Sequence, residues 1–171
     1  MNLSRLTYCA PNQKVKIAEI DGGKGAIENI RSFGIVIGDE VLFKSRKNGN
    51  GKIVVEFKSE EISIGYELAS KILFDSSENP STTLNHIRVG DVVEVTKMGA
   101  KGDVRFRLLD MGLVRGVDLK VIRVAPLGDP IEILINGFNL SLRKNEAENI
   151  EVKVVEIYKN HNNGKKRWGM F

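Results

Sequence analysis

The sequence predicts a mainly β protein assembled from two tandem copies of one small β-barrel, each with a short helix after its first strand. Three observations carry that prediction. A single gapless offset of 78 residues matches the chain onto itself; short apolar runs alternate with period two; and turn residues interrupt them at regular spacing. The supply of large side chains agrees. With 7 Phe, 3 Tyr and 1 Trp in 171 residues, the cores must rest on Ile, Val and Leu, which suit pleated strands.

The repeat places Gly34-Ile35-Val36-Ile37-Gly38 on Gly112-Leu113-Val114-Arg115-Gly116, Leu6 on Leu84 and Val15 on Val93. It continues without a gap through Ile53 on Ile131, Ser63 on Ser141, Ala69 on Ala147 and Ile72 on Ile150. Residues 1–75 and 84–158 form the copies. Between them, residues 76–83 are polar with one proline and read as a linker. Copies of about 75 residues sit at the lower limit for folding on one core, so packing together relieves each.

The second copy gives the clearer elements. Asp91 to Met98 reads as a strand with Val93, Val95 and Met98 turned inward. Gly99-Ala100-Lys101-Gly102 ends it, and Asp103 is positioned to cap a short helix. Val104, Leu108 and Met111 then fall on one helical face, and Gly112 stops the helix. Val117 to Val124 is the next strand. Ile131 to Ile135 and Phe138 to Leu142 alternate around Asn136-Gly137, a pair suited to a tight turn in which both residues take positive φ. One helical turn over 144–149 and a closing strand, Ile150 to Ile157, complete a five-stranded closed barrel of SH3-like type, which leaves no sticky sheet edge. The first copy follows the same plan, with a hairpin expected at Asn48-Gly49-Asn50-Gly51.

Charge narrows the function classes. Of the +4 net charge, Lys159, Lys165, Lys166 and Arg167 belong to a tail, 159–171, that holds no acid. The body is therefore neutral, which argues against a nucleic-acid barrel, where the excess positive charge lies on the folded face that meets phosphate. Sparse aromatics also leave no stacking platform. The tail is polar and basic and is expected to be disordered. Cys9 has no partner for an internal disulfide, and no apolar run reaches the length of a membrane span. Together these point to a cytoplasmic protein.

Catalytic and metal motifs are not found. Cys9 lacks a neighbouring His, and no nucleophile elbow, phosphate loop or paired carboxylates appear. His86 and His161 stand apart, with no ligand spacing around either, so no cofactor is expected; a transition metal ion is not supported by ligand spacing. Ala125-Pro126-Leu127-Gly128-Asp129-Pro130 is more informative. Two prolines brace the backbone around Leu127 and Gly128, presenting the leucine at low entropic cost. The bland alternative is a rigid connector with Leu127 capping the barrel mouth. Met111 and Leu113 line either a partner groove or the core, and Arg143 pairs either with a partner's acid or with Asp129.

Taken in order, Arg107-Leu108-Leu109-Asp110-Met111-Gly112-Leu113-Val114-Arg115-Gly116, Arg123 to Pro130, Leu140-Ser141-Leu142-Arg143 and Ala147-Glu148-Asn149-Ile150 resemble the FeoA family, the small ferrous iron transport protein A of bacteria. The first copy is a degenerate version. It has Lys47-Asn48-Gly49-Asn50-Gly51-Lys52 where the second has the proline-braced loop, and Ile64-Gly65 in place of Leu142-Arg143. The resemblance implies an SH3-like fold, no enzymatic activity, and a partner in the FeoB-type membrane permease, docked at its cytosolic G domain. Met111, Leu113, Pro126, Leu127, Gly128, Asp129, Pro130 and Arg143 form the expected partner-binding set. Membrane contact would then come only through that partner, and a homo-oligomer is compatible with the pattern. Two further readings remain: a metal-responsive regulatory domain, as at the carboxyl end of metal-dependent repressors, and a small-barrel nucleic-acid binder.

Overall fold

The computed structural model describes residues 2–47, 51–76 and 81–159. Among these residues the chain forms two rolled antiparallel sheets, one per repeat. The first contains β1 (Leu3–Arg5), β2 (Gln13–Ile20), β3 (Glu40–Arg46), β4 (Ile53–Phe57), β5 (Glu60–Ile64) and β6 (Ile72–Asp75), with helices α1 (Lys24–Ser32) and α2 (Tyr66–Ala69). The second contains β7 (Ser81–Thr83), β8 (Val92–Met98), β9 (Asp118–Val124), β10 (Ile131–Ile135), β11 (Phe138–Leu142) and β12 (Ile150–Glu156), with α3 (Gly102–Asp110) and α4 (Lys144–Ala147). A short 3-10 turn follows the first strand of each copy, at Leu6–Tyr8 and Leu84–His86.

The ladder orders are β1-β6-β2-β3-β4-β5 and β11-β10-β9-β8-β12-β7, the same path through both repeats. Each sheet rolls over a single core because its strands are apolar on one face only. Ile131, Ile133 and Ile135 are buried while Glu132 and Leu134 face outward, and Leu119 and Val121 repeat the alternation in β9. A buried aliphatic side chain of this size contributes about 1.5–3 kcal/mol, so these strand faces dominate the stability of each barrel. The fold is two tandem SH3-like barrels.

Several elements differ from the sequence expectation. Each repeat has six strands among the described residues, because Leu3–Arg5 and Ser81–Thr83 pair with β6 and β12. Ser81–Thr83 lies in the stretch read as linker: its polar side chains conceal a ladder held by backbone groups alone. Lys101, and not Asp103, is the N-cap residue of α3, and no side chain caps the helix. Of Val104, Leu108 and Met111, only Leu108 is buried; Val104 and Met111 are each 41% exposed. A nine-residue helix lying on a small barrel touches it along a narrow line, so helical spacing overstates the buried face. The Asn136-Gly137 turn has φ of 48° and 81°, as a tight hairpin requires. The Asn48-Gly49-Asn50 part of the first hairpin and the tail beyond Lys159 lie outside the described residues.

The barrels are joined by more than their connection. Tyr8, from the first repeat, is completely buried and belongs to the core of the second. Its hydroxyl donates to Asp91 Oδ2 at 2.6 Å and accepts from the Arg88 backbone N–H at 2.8 Å. Beside it Arg5, also wholly buried, donates to both carboxylate oxygens of Asp91, at 2.8 and 3.2 Å, to Asp21 Oδ2 at 3.2 Å, and to the carbonyls of Ser70 and Tyr158 at 2.7 and 2.6 Å. Burial disfavours the guanidinium charge, but the hydrogen bond and charge of Asp91 outweigh it and hold the Arg5 pKa above its ordinary value. Burial, with the Asp91 charge added, likewise raises the Tyr8 hydroxyl well above the usual range.

Candidate partner-binding site

The expected partner-binding residues lie on the second barrel and divide into three settings. Pro126 to Pro130 connects β9 to β10 as a tight loop closed by Gly128 N–H to Ala125 O at 2.7 Å and Ala125 N–H to Pro130 O at 3.0 Å. With its backbone so fixed, the loop holds Leu127 outward at 95% exposure, the most exposed large apolar side chain among the described residues. It does not cap the barrel mouth.

Asp129 and Arg143 belong to the same surface. The Asp129 carboxylate accepts the Lys144 backbone N–H at 3.2 Å and lies 3.9 Å from the Arg143 guanidinium. The first contact satisfies a free donor at the start of α4 and so ties the loop to that helix. The ion pair is solvent-exposed on both sides and contributes little to stability. From α4 the surface continues to α3: Glu146 accepts the Arg143 N–H at 2.9 Å and pairs with Arg107. A carboxylate with one oxygen on each helix fixes their relative position.

Met111 and Leu113 separate. Met111 is partly exposed at the end of α3, whereas Leu113 is fully buried and packs with Leu84, Leu108 and Ile131 in the core. Leu113 therefore leaves the partner-binding set; the Gly112 turn swings the chain inward immediately after Met111. A Cβ on Gly112 would lie 2.8 Å from the Asn136 side chain, so this turn abuts the tip of the β10–β11 hairpin. Sequence reasoning missed two exposed apolar residues nearby, Phe106 at 67% on α3 and Phe138 at 74% on β11. Both interrupt otherwise polar faces, Phe106 between two arginines and Phe138 directly after the Asn136-Gly137 turn, and that was the available signal.

Other candidates fall away on geometry. Cys9 is buried against the first core, and burial pushes its thiol up to about 12, which leaves it unreactive at neutral pH. Among the described residues no group of three His, Cys, Asp or Glu side chains converges as a metal site. Among the same residues no helix is long and apolar enough to cross a membrane.

The fold and this surface define a tandem small-barrel protein of the SH3-like class. The family model described as the FeoA domain matches it twice, over residues 1–75 and 82–154, and the chain belongs to the FeoA family. One relative is a fusion of Fe(2+) transport protein A with the Fe(2+) transporter FeoB from Porphyromonas gingivalis, 36% identical over 72 residues. That match covers 42% of this chain and 8% of the fusion protein, so the chain spans a small part of that relative. The solution structure of iron(II) transport protein A from Clostridium thermocellum superposes with a TM-score of 0.58 at 18% identity, covering 98% of this chain and 95% of that one. The shared fold thus extends over both barrels. The solution structure of a FeoA protein from Chlorobium tepidum is 45% identical, with a TM-score of 0.43, over 52% of this chain and 90% of that one.

Proposed function

We propose that this protein is a non-enzymatic cytoplasmic accessory of ferrous iron uptake that docks on the cytosolic G domain of a FeoB-type permease through its second barrel. The observation that carries the reading is Leu127, 95% exposed on a loop whose backbone is closed by its own hydrogen bonds and tied to α4 by Asp129. An apolar side chain held rigidly in water gains its full burial energy on docking, with little ordering cost to offset it. Membership of the FeoA family supports the iron-uptake context, and the fusion relative carries a transport protein A segment and a FeoB transporter on one polypeptide.

In this reading Pro126, Gly128, Asp129, Pro130 and Arg143 shape and flank the anchor, and the half-exposed Met111 at the end of α3 extends the apolar contact. The first barrel, which lacks the loop, acts as a support. Titration of the full chain with the isolated G domain of a FeoB-type permease tests this directly. Leu127→Asp is expected to weaken binding by a factor of roughly 30 or more, the loss of about 2 kcal/mol that defines an interface hot spot, without changing thermal stability. No binding in any nucleotide state of the G domain would remove the docking proposal while leaving the family assignment intact.

A further inference from the structure

The two barrels border a cleft of 570 Å³ that shares Pro126 and Gly128 with the docking loop but extends well beyond it. Its walls are repeat-related: Arg46 and Val124 are equivalent positions under the 78-residue offset, as are Tyr66 and Lys144, and all four line it. Equivalent surfaces of the two copies therefore face each other across the cleft, as in an isologous dimer. The copies have diverged so that each equivalent pair contributes one cation. Lys47 adds a third, against Glu148 as the one acid in the lining.

These cations are not neutralised within the fold. Among the described residues neither Lys47 nor Lys144 has an ion-pair partner. Arg46 is held in place by backbone carbonyls: Nε donates to Thr7 O at 3.2 Å, and Nη2 donates to Thr7 O and, at 3.1 Å, to Cys9 O. Those bonds use three of its five N–H groups and leave both on Nη1 unbonded among the described residues. A fixed guanidinium with a free edge, flanked by two lysines, is suited to phosphate oxygens. His86, on the same wall, registers the field. Burial, then the Arg46 and Lys144 charges, lower its pKa to about 4, so it is neutral at physiological pH and adds no charge of its own. The volume lies in the usual range for small-molecule sites, and three cations against the single acid Glu148 leave a net positive charge whose field a recess concentrates.

We propose that the inter-barrel cleft binds a phosphorylated small molecule of nucleotide size, its phosphates held between Arg46 and Lys47 of the first barrel and Lys144 of the second. The site exists only in the tandem protein, because each barrel supplies one wall. Its three cations lie outside the docking set, although Pro126 and Gly128 of that set also border the cleft.

Calorimetric and NMR titration of the full chain with pyrophosphate, ATP and adenosine tests it. Pyrophosphate and ATP are expected to bind saturably and to shift the His86 ring resonances, with adenosine inert. Lys47→Glu and Lys144→Glu should each weaken ATP binding at least tenfold, while Lys97→Glu, the same charge change on the exposed outer face of β8, leaves it within twofold. These are surface substitutions that leave the cores intact, and thermal melts verify folding. Absence of saturable binding by both phosphate probes overturns the proposal. So does equal weakening by Lys97→Glu, which would reduce the effect to diffuse attraction.

Discussion

Arg5 is a fully buried cation with five hydrogen bonds. Its guanidinium meets Asp91 through two hydrogen bonds, both groups fully buried, and the nearly buried Asp21 through a third. A buried pair of this kind adds little relative to apolar packing, but removing one partner strands the other charge in a low-dielectric interior. Asp91→Asn is therefore expected to lower the unfolding free energy by about 3–5 kcal/mol, read as a drop in the denaturation midpoint. Lys14→Ala, which breaks the exposed Lys14–Glu40 pair, should leave that midpoint unmoved. A small effect of Asp91→Asn would mean that water reaches Arg5. The repeat comparison contained a trace of this contact: Arg5 and Asp91 stand opposite Thr83 and Gln13, so both charges occur in one copy only. Neither was read as a pair, because sequence separation gives no measure of distance across two barrels.

Among the elements, the 3-10 turn Leu84–His86 is where the second barrel meets α2 of the first. The Tyr66 hydroxyl donates to the His86 carbonyl at 2.6 Å, and Thr83 Oγ1 and the Asn85 amide contact the ring at 3.0 and 3.4 Å. The His86 pKa of about 4 lies below the ordinary value of 6.5. The unfolded chain thus takes up the proton first, and its share of stability is complete above pH 6.5 and is lost as pH falls toward 4. His86→Gln should flatten the pH dependence of the denaturation midpoint between those limits, relative to wild type; an unchanged profile would mean the ring is solvated. Elements were legible where local chemistry dictates them. The period-two runs of β8 to β11 and the Asn136-Gly137 turn follow from strand pleat and positive φ, and the proline-braced loop from fixed torsions. The inward face of α3 and the strand Ser81–Thr83 were not legible, and for Leu113 the pattern left core and partner groove both open. Each depends on what the rest of the barrel places opposite it, and a polar edge strand has no apolar pattern to betray it.

At the scale of the whole molecule, Tyr8 removes the independence that two repeats would otherwise have. The second core is complete only with a side chain from the first repeat, and the Arg5 network spans the boundary. Thermal unfolding is expected to be one transition with equal calorimetric and van't Hoff enthalpies. Residues 81–159 alone should be strongly destabilised, with Asp91 buried and uncompensated. Two resolved transitions, or a separate second half of native stability, would contradict this coupling. The same feature constrains how the chain comes off the ribosome. The first repeat emerges before the second, yet Arg5 finds Asp91 only after a further stretch has been translated, and the Tyr158 carbonyl only after the second repeat is complete. Until then Arg5 has only Asp21 and the Ser70 carbonyl of its own repeat as partners, and the Tyr8 ring beside it has no pocket to enter, so the first strand is fully anchored only once the second repeat has been made.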